Sequence, residues 1–325
     1  MLRTQVCDLL GIEFPIIQAG MGAFASPDLV AAVSNAGGLG SFGARPELGE
    51  RAADNIRERM ARTRELTDRP FAVNHTVNDL NEVAFAATLE TKPSLISFAL
   101  GDPGDLVGRA HDAGIPVMHQ VTTLRQARQA AELGVDIVVA QGGEAGGFGG
   151  TVAGLVLIPQ VVDAVSPIPV IAAGGIADGR GFAAALVLGA QGINIGTRFL
   201  TSVEAAVDDA WKQAILTGES EDAIKVDFWN DIFPPTGSAY TVIPRALRSP
   251  FIDEWRNRRH EVRQEAQRLQ SQVMIAKEQG KYGELTPFAG QTAGLIHEIL
   301  PAAEIVHTIV AEAEEVLKRA TNVLR

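Results

Sequence analysis

The chain has 325 residues, and 46% of them are hydrophobic, which is enough for a sizeable buried core. A net charge of −11 argues against non-specific nucleic-acid binding, and the single cysteine, Cys7, excludes an internal disulfide. The six scattered histidines show no metal-ligand spacing, no apolar run reaches the roughly 18 residues of a membrane span, and the N-terminal residues contain no apolar segment of a secretion signal. We therefore expect a cytoplasmic protein that binds no metal, nucleic acid or membrane.

Short apolar runs alternate with amphipathic stretches through the first two-thirds of the chain. The predicted strands, in chain order, span residues 16–21, 39–43, 71–77, 94–100, 116–122, 136–142, 169–175 and 192–199. They are mostly continuous apolar runs, as in a parallel sheet covered by helices. Helix starts are predicted at Ser26, before Leu29, and at Asp178, before the apolar run 182–188. Eight such units in about 200 residues favour an α/β fold of the (β/α)8 TIM-barrel type over an open doubly wound sheet.

Residues 218–300 interrupt this alternation. Within them we predict a long charged helix at 254–278 and loops at 233–237, 245–250 and 281–294. Residues 301–317 carry apolar side chains at helical spacing, which fits a last helix returning to the barrel. The predicted organisation is a TIM barrel of residues 1–217 and 301–325, with residues 218–300 forming a helical insertion that covers the barrel mouth as a lid.

Glycine-rich turns follow the last three predicted strands. Six of the ten residues 141–150 are glycine, and shorter turns follow at Gly174-Gly175 and Gly196-Thr197. Glycine lets the backbone approach a ligand closely, and function in a TIM barrel lies at the carboxyl ends of the strands. With Asp178 beginning a helix, the second turn also offers a helix N-terminus for a phosphate. The pattern predicts a planar, phosphorylated ligand held largely by main chain.

Two earlier strand ends carry residues suited to a flat ring. The run from Gln18 to Gly22 places small residues where such a ring can stack on the backbone. Asn74 ends the third predicted strand, where its amide can hydrogen-bond a heteroaromatic edge. A buried structural asparagine is an equally good interpretation of Asn74.

Several motifs, in order along the chain, resemble one known family. They are PIIQAGMG, VSNAGGLGSFG, FAVN, VDIVVAQGGEAGG, PVIAAGGIADGRG and GINIGTRFLTSVEA, followed by ALRSPFIDEW and AGQTAGLI in the predicted lid. Together they resemble the nitronate monooxygenase (2-nitropropane dioxygenase) family of FMN-dependent TIM-barrel oxidoreductases. The resemblance covers nearly the whole chain and is far more specific than any glycine turn.

The resemblance implies an FMN site. Its ring would stack against residues 19–22, with polar contacts from Asn74 and from Gln141 and Gly142, and its phosphate would lie at the last two glycine turns. The cofactor-binding residues implied are Ala19, Gly20, Met21, Gly22, Asn74, Gln120, Gln141, Gly142, Gly146, Gly147, Ala173, Gly174, Gly175, Gly196 and Thr197.

One position departs from the family pattern. Where the family usually has histidine, in E-A-G-G-H, this chain has Phe148, which has neither a titratable group nor a hydrogen-bond donor. His75 is a candidate for the missing base, although side chains alternate along a strand, so Asn74 and His75 are expected to face opposite ways. His119, inside the fifth strand, is more typical of a core or mouth residue.

Other polar and aromatic residues have simpler expected roles. Glu144 is expected to accept main-chain N–H bonds in its loop, whereas Tyr240 and Trp229 either line the pocket or pack in the lid.

Two oxidoreductase functions remain open. One is oxidation of alkyl nitronates, or of a related small organic substrate, with O2. The other is NAD(P)H-dependent reduction or dehydrogenation of quinones, enones or enoyl thioesters, with FMN carrying the electrons in both. A non-flavin barrel enzyme and a catalytically silent flavin protein are further alternatives. A homodimer is a candidate assembly, and the sequence does not identify the substrate.

Overall fold

The computed structural model describes residues 2–235, 240 and 242–321. Its strands are β1 (Ile16–Gln18), β2 (Gly40–Gly43), β3 (Phe71–Thr76), β4 (Leu95–Ala99), β5 (Val117–Val121), β6 (Ile137–Gln141), β7 (Gly147–Gly149), β8 (Val170–Ala173), β9 (Gly192–Ile195), β10 (Ala223–Lys225) and β11 (Ile243–Leu247). The helices are α1 (Gln5–Leu10), α2 (Pro27–Asn35), α3 (Ala52–Leu66), α4 (Glu82–Thr91), α5 (Leu106–Asp112), α6 (Leu124–Glu132), α7 (Gly154–Val165), α8 (Gly179–Val187), α9 (Thr197–Leu200), α10 (Asp209–Thr217), α11 (Trp229–Ile232), α12 (Pro250–Trp255), α13 (Arg259–Glu278), α14 (Tyr282–Leu285) and α15 (Ala302–Thr321).

Eight parallel strands of the described chain form a barrel, as the sequence predicts. Their order is β1-β9-β8-β6-β5-β4-β3-β2. The ring closes between its two ends, where Gln18 N donates to Leu39 O and Leu39 N donates to Ile16 O, both at 2.9 Å. The TIM-barrel prediction is therefore confirmed.

The two faces of the barrel strands pack against different partners. Inward residues such as Ile17, Leu95 and Ile171 form one cluster with Val6 and Leu10 of α1, so α1 closes the end of the barrel opposite the strand carboxyl ends. Outward residues pack against the surrounding helices in the largest cluster of the molecule. The open end of the barrel is thus the end where the glycine turns lie.

Local signals account for several helix starts. The Ser26 side chain accepts from Leu29 N at 3.1 Å and Pro27 opens α2, which confirms that predicted start. The Asp178 side chain likewise caps α8. The predicted return of the last helix is also confirmed, since α15 packs into the core around the barrel through Ile305, Ile309 and other apolar residues.

The interrupting segment contains a small sheet that the sequence did not reveal. Strands β10, β11 and β7 form an antiparallel sheet, in which β11 joins the lid to the glycine-rich stretch. The prediction of a loop at 245–250 is therefore wrong for residues 245–247, because pairing with other strands makes residues 243–247 a strand, whereas residues 248 and 249 do connect two elements. The lid also has its own core, which includes Trp229, Trp255 and Leu269.

Some predicted boundaries also differ from the structure. The eighth barrel strand ends at Ile195 instead of 199, because the chain turns at Gly196 into helix α9. The predicted helix 254–278 is two helices, α12 and α13, and the predicted loop 281–294 contains α14 and a 3₁₀ turn at Gln291–Leu295. Part of the predicted loop 233–237, residues 236 and 237, lies outside the described residues. Among the described helices, none combines the length and apolarity that a membrane crossing requires.

Candidate active site

A cavity of about 630 Å³ opens at the carboxyl ends of the barrel strands, under the lid. Most of the residues predicted to hold a cofactor line it. These are Ala19, Gly20, Met21, Gly22, Asn74, Gln120, Gln141, Gly146, Gly147, Ala173, Gly174, Gly175, Gly196 and Thr197, together with Phe148. The fold thus brings six separate chain segments to one concave surface.

Two predicted residues, Gly142 and His75, do not line the cavity. Gly142 N donates to Ala173 O at 2.8 Å, and a Cβ on Gly142 would meet Glu144 and Gly154, so this residue serves chain packing. His75 is 1% exposed, and its Nε2 lies 3.0 Å from Thr88 Oγ1 of α4. Because Asn74 faces the cavity, strand alternation directs His75 into the helix layer, where it cannot act as a base in the cavity.

Glycine is sterically required along the first wall of the cavity. A Cβ on Gly20 would lie 2.5 Å from the Cβ of Asn74, and one on Gly43 would lie 2.6 Å from the Cα of Gly22. Met21, which lies between Gly20 and Gly22 in the sequence, has φ 36°, in the left-handed region. The backbone here lies close to the side chain of Asn74 and forms a surface without protruding β-carbons.

Three buried polar atoms in the cavity have no hydrogen-bond partner among the described residues. They are Ser41 Oγ, Gln141 Oε1 and Asn194 Oδ1. An unsatisfied buried group costs about 1–3 kcal/mol, so three together indicate a polar ligand. Ser41 and Asn194 are not among the residues predicted from the sequence. The available signal was a lone polar residue on the inward-facing side of a barrel strand.

A set of backbone donors lies on another wall. Gly174 and Gly175 have φ 83° and 74°, and the N–H groups of these residues, Gly196 and Thr197 find no acceptor within the described part of the chain. Thr197 Oγ1 accepts from Gly290 N at 2.9 Å, which ties this wall to the lid. Four such N–H groups on residues that line one cavity are well suited to an anionic group.

The start of α8 does not contribute donors to this wall, contrary to the sequence-based expectation. The Asp178 carboxylate accepts from Arg180 N and Gly181 N at 3.0 Å, and Glu312 accepts from Gly179 N at 2.9 Å. Since two carboxylates already occupy these N–H groups, the helix N-terminus is satisfied internally.

Phe148 lies on β7 and contributes to an aromatic wall. Its ring centroid is 6.1 Å from that of Phe288, which in turn lies 6.4 Å from Trp211, and Trp211 is 4.8 Å from Phe24. All four residues line the cavity. Apart from Asp79, no described residue lining the cavity has a titratable side chain. The site therefore offers an apolar surface and very few proton-transfer groups.

His119 and Tyr240 form a hydrogen-bonded pair outside the cavity lining. His119 Nδ1 lies 3.1 Å from the carbonyl of Phe98, so Nδ1 carries the proton and Nε2 accepts from the Tyr240 hydroxyl at 2.9 Å. Burial lowers the pKa of His119 to about 4, so it is neutral at pH 7. Tyr240 thereby anchors a part of the lid to the barrel, and Trp229 packs in the lid core.

Glu144 has the structural role expected from the sequence. Both of its carboxylate oxygens lie 3.0 Å from Gly154 N, so the carboxylate accepts this main-chain N–H at the start of α7. It organises the glycine loop, which we define as residues 142–150.

A barrel of eight parallel strands with a glycine-lined cavity at their carboxyl ends is the arrangement of a TIM-barrel enzyme. The family model described as nitronate monooxygenase matches residues 3–88 and 76–312. The chain therefore belongs to the nitronate monooxygenase family, a family of flavin-dependent oxidoreductases.

Individual relatives agree with this assignment. The chain is 33% identical to a nitronate monooxygenase of Paraburkholderia phytofirmans, over 99% of this chain and 97% of that one. It is 40% identical to (3aS,4S,5R,7aS)-5-hydroxy-7a-methyl-1-oxo-octahydro-1H-indene-4-carboxyl-CoA dehydrogenase of Rhodococcus jostii, over 68% of this chain but only 62% of the length of that relative. Among solved structures, FabK from Thermotoga maritima superimposes with a TM-score of 0.87 at 34% identity, covering 99% of this chain and 100% of FabK.

Proposed function

We propose that this protein is an FMN-dependent oxidoreductase that oxidises alkyl nitronates with O2. The observation that carries the proposal is that two groups of polar atoms without hydrogen-bond partners lie in the same cavity. One set is the three unpartnered side-chain atoms, and the other is the four backbone N–H groups. A cofactor with a polar heteroaromatic ring at one end and one phosphate at the other matches both sets.

The residues that would hold FMN follow from this match. The backbone of residues 19–22 would support the ring, and Ser41, Asn74, Gln120, Gln141 and Asn194 would supply hydrogen bonds to its polar atoms. The N–H groups of Gly174, Gly175, Gly196 and Thr197 would bind the phosphate. FMN, when bound, supplies the two-electron chemistry.

The chain's own contribution is orientation and exclusion of water. Phe148, Phe288 and Trp211 would give the substrate an apolar surface that limits the access of water. Trp211 is buried, and the two phenylalanines are partly buried. No histidine reaches the cavity from the described chain. A nitronate is already an anion, so its oxidation needs no base to remove a proton. This fits the cavity, because Asp79 is the sole titratable side chain among the described residues that line it.

A second candidate is an NAD(P)H-dependent reductase or dehydrogenase acting on a thioester. It is favoured by the 40% identity to a dehydrogenase whose name specifies a CoA thioester substrate. Reduction of an activated C=C bond by hydride also needs no base in the cavity, and the proton that completes the addition would come from solvent.

Anaerobic reduction of the reconstituted protein separates the candidates. The purified protein is loaded with FMN, freed of excess cofactor and mixed in parallel with propyl nitronate, NADH, NADPH and a saturated acyl thioester. The proposed function predicts loss of the visible flavin absorbance with propyl nitronate. Reduction by NADH or NADPH alone supports the second candidate, and failure to retain FMN contradicts both.

A further inference from the structure

Two cationic side chains lie next to each other on the lid sheet. Lys225 of β10 is in register with Arg245 of β11, so both side chains project from the same face. Both are half-buried, and like charges directly opposite one another destabilise a sheet unless other groups compensate. The compensating groups are backbone carbonyls.

Two of the four carbonyls belong to the glycine loop, one near each of its ends, and the other two belong to Ile243 and Ala223. Lys225 Nζ donates to Gly149 O at 3.1 Å and to Ile243 O at 3.0 Å. Arg245 Nη2 donates to Gly143 O at 2.8 Å, and its Nη1 donates to Ala223 O. The lid thus binds the glycine loop near both of its ends through charge-assisted hydrogen bonds.

The glycine loop needs such external support. Six of its nine residues are glycine, which have no side chains to pack and lose the most conformational entropy on ordering. Glu144 fixes the first part of the loop through Gly154 N. The second part contains β7, whose backbone pairs with β11 through Gly147, Phe148 and Gly149.

The side chains of Lys225 and Arg245 are both charged at neutral pH, as these hydrogen bonds require. Burial, with a smaller effect of Arg245, lowers the pKa of Lys225 to about 8, so the ammonium form still predominates at pH 7. Burial lowers the pKa of Arg245, whereas the nearby Glu144 carboxylate raises it, and the guanidinium stays charged.

We propose that Lys225 and Arg245 are positioning residues that set the place of Phe148 in the cavity. In the sequence, Phe148 lies between Gly143 and Gly149, whose carbonyls accept these hydrogen bonds. Strand alternation turns the ring of Phe148 to the opposite face from Arg245, toward Phe288. The lid and the glycine loop are therefore joined both by the pairing of β7 with β11 and by these side-chain hydrogen bonds. The effect on turnover rests on the proposed function, whereas the effect on the loop does not.

Hydrogen–deuterium exchange tests the positioning directly. In the full-length protein loaded with FMN, Lys225→Met is expected to speed exchange in peptides covering residues 142–150 by about tenfold, as for loss of one charge-assisted hydrogen bond. Lys225→Arg, which keeps the charge and donors, is expected to restore near-normal exchange. Lys225→Gln replaces Lys225→Met if the latter does not fold.

Lys212→Met is the matched control. Lys212 is also buried and donates to a backbone carbonyl, Ser202 O at 2.7 Å, but it does not contact the glycine loop. Its replacement is expected to leave exchange at 142–150 unchanged. Equal acceleration in Lys212→Met and Lys225→Met, or none in Lys225→Met, would overturn the proposal.

Steady-state kinetics give a second, independent measurement. Because Phe148 packs beside the substrate, Lys225→Met is expected to raise KM for propyl nitronate about fivefold to tenfold, with FMN content unchanged and with a smaller change in kcat. Lys225→Arg restores KM. If the wild-type protein does not oxidise nitronates while the exchange result stands, the proposed function fails and the positioning role remains. An unchanged KM with faster exchange contradicts the link to Phe148.

Discussion

The ring of Phe148 lies 6.1 Å from the ring of Phe288, so the glycine loop meets the lid through an aromatic contact beside the cavity. The family resemblance implies a histidine at this position. The side chain that this chain has there packs against an aromatic neighbour and has no group that transfers a proton. The following predictions test what each part of this arrangement contributes.

Introducing the missing imidazole is expected to raise nitronate turnover. Phe148→His places a hydrogen-bond donor on the same strand, beside the cavity. A nitronate needs no base, but a charge-assisted hydrogen bond to its oxygens would orient it, and we expect kcat with propyl nitronate to rise about tenfold. Phe148→Leu is the control, since it changes the ring without adding a polar group. A folded, FMN-loaded Phe148→His protein with unchanged kcat would show that Phe148 does not limit the reaction.

A carboxylate at the backbone donor set is expected to expel FMN. Gly175→Asp places a negative charge against the phosphate, and a Cβ there meets Glu144 only at 3.5 Å, so charge and not crowding dominates. We expect Gly175→Asp to retain much less FMN than the neutral Gly175→Asn, measured by absorbance after gel filtration. Gly134→Asp controls for strain, because Gly134 has a similar φ of 80° in an exposed turn. Equal FMN retention in the aspartate and asparagine variants would place the phosphate elsewhere.

The unpartnered hydroxyl of Ser41 predicts opposite effects on the two states of the protein. Ser41→Ala removes a buried polar atom without a partner, so the cofactor-free protein is expected to melt at the same temperature or higher, whereas Kd for FMN rises about fivefold to tenfold. Calorimetry and flavin-fluorescence titration measure the two quantities.

Ser34→Ala is the matched control for this experiment. The Ser34 hydroxyl donates to Pro70 O at 2.8 Å and accepts from Gly40 N at 3.1 Å. Its loss is expected to destabilise the cofactor-free protein by about 1–3 kcal/mol with little change in Kd for FMN. If Ser41→Ala destabilises the cofactor-free protein as much, its hydroxyl has a structural partner and not a ligand.

The buried histidines predict a loss of stability in acid. Burial lowers the pKa of both His75 and His119 to about 4, below the usual value of 6.5. Between these values the unfolded chain binds more protons than the folded one, so stability present above pH 6.5 is lost as the pH falls toward 4. Urea unfolding at several pH values is expected to give a shallower pH dependence for the double variant His75→Gln with His119→Gln. An identical pH dependence in the variant would assign the acid sensitivity to other groups.

The same lowered pKa values predict that neither histidine shapes the activity profile near neutrality. Both are uncharged from pH 6 upward and neither lines the cavity, so His75→Gln is expected to leave the pH dependence of kcat/KM unchanged. A shifted profile in a stably folded His75→Gln protein would restore His75 as a candidate base.

Much of the fold follows from local patterns in the sequence. The apolar runs and helical spacings predict the eight barrel strands and α15, because periodicity records which faces of an element are buried. The glycine pair at Gly174 and Gly175 likewise marks a turn with backbone donors, since the positive φ of both residues restricts the residue type. Strand alternation also indicates that Asn74 and His75 face opposite ways.

Tertiary structure alone decided the remaining features. The strand at Ile243–Leu247 forms because it pairs with Gly147–Gly149, about 100 residues away, and no local pattern encodes a pairing of that range. Likewise, only the folded structure shows that Ser41 Oγ and Asn194 Oδ1 have no hydrogen-bond partner among the described residues. Periodicity is a property of adjacent residues, whereas pairing and hydrogen-bond satisfaction depend on residues that only folding brings together.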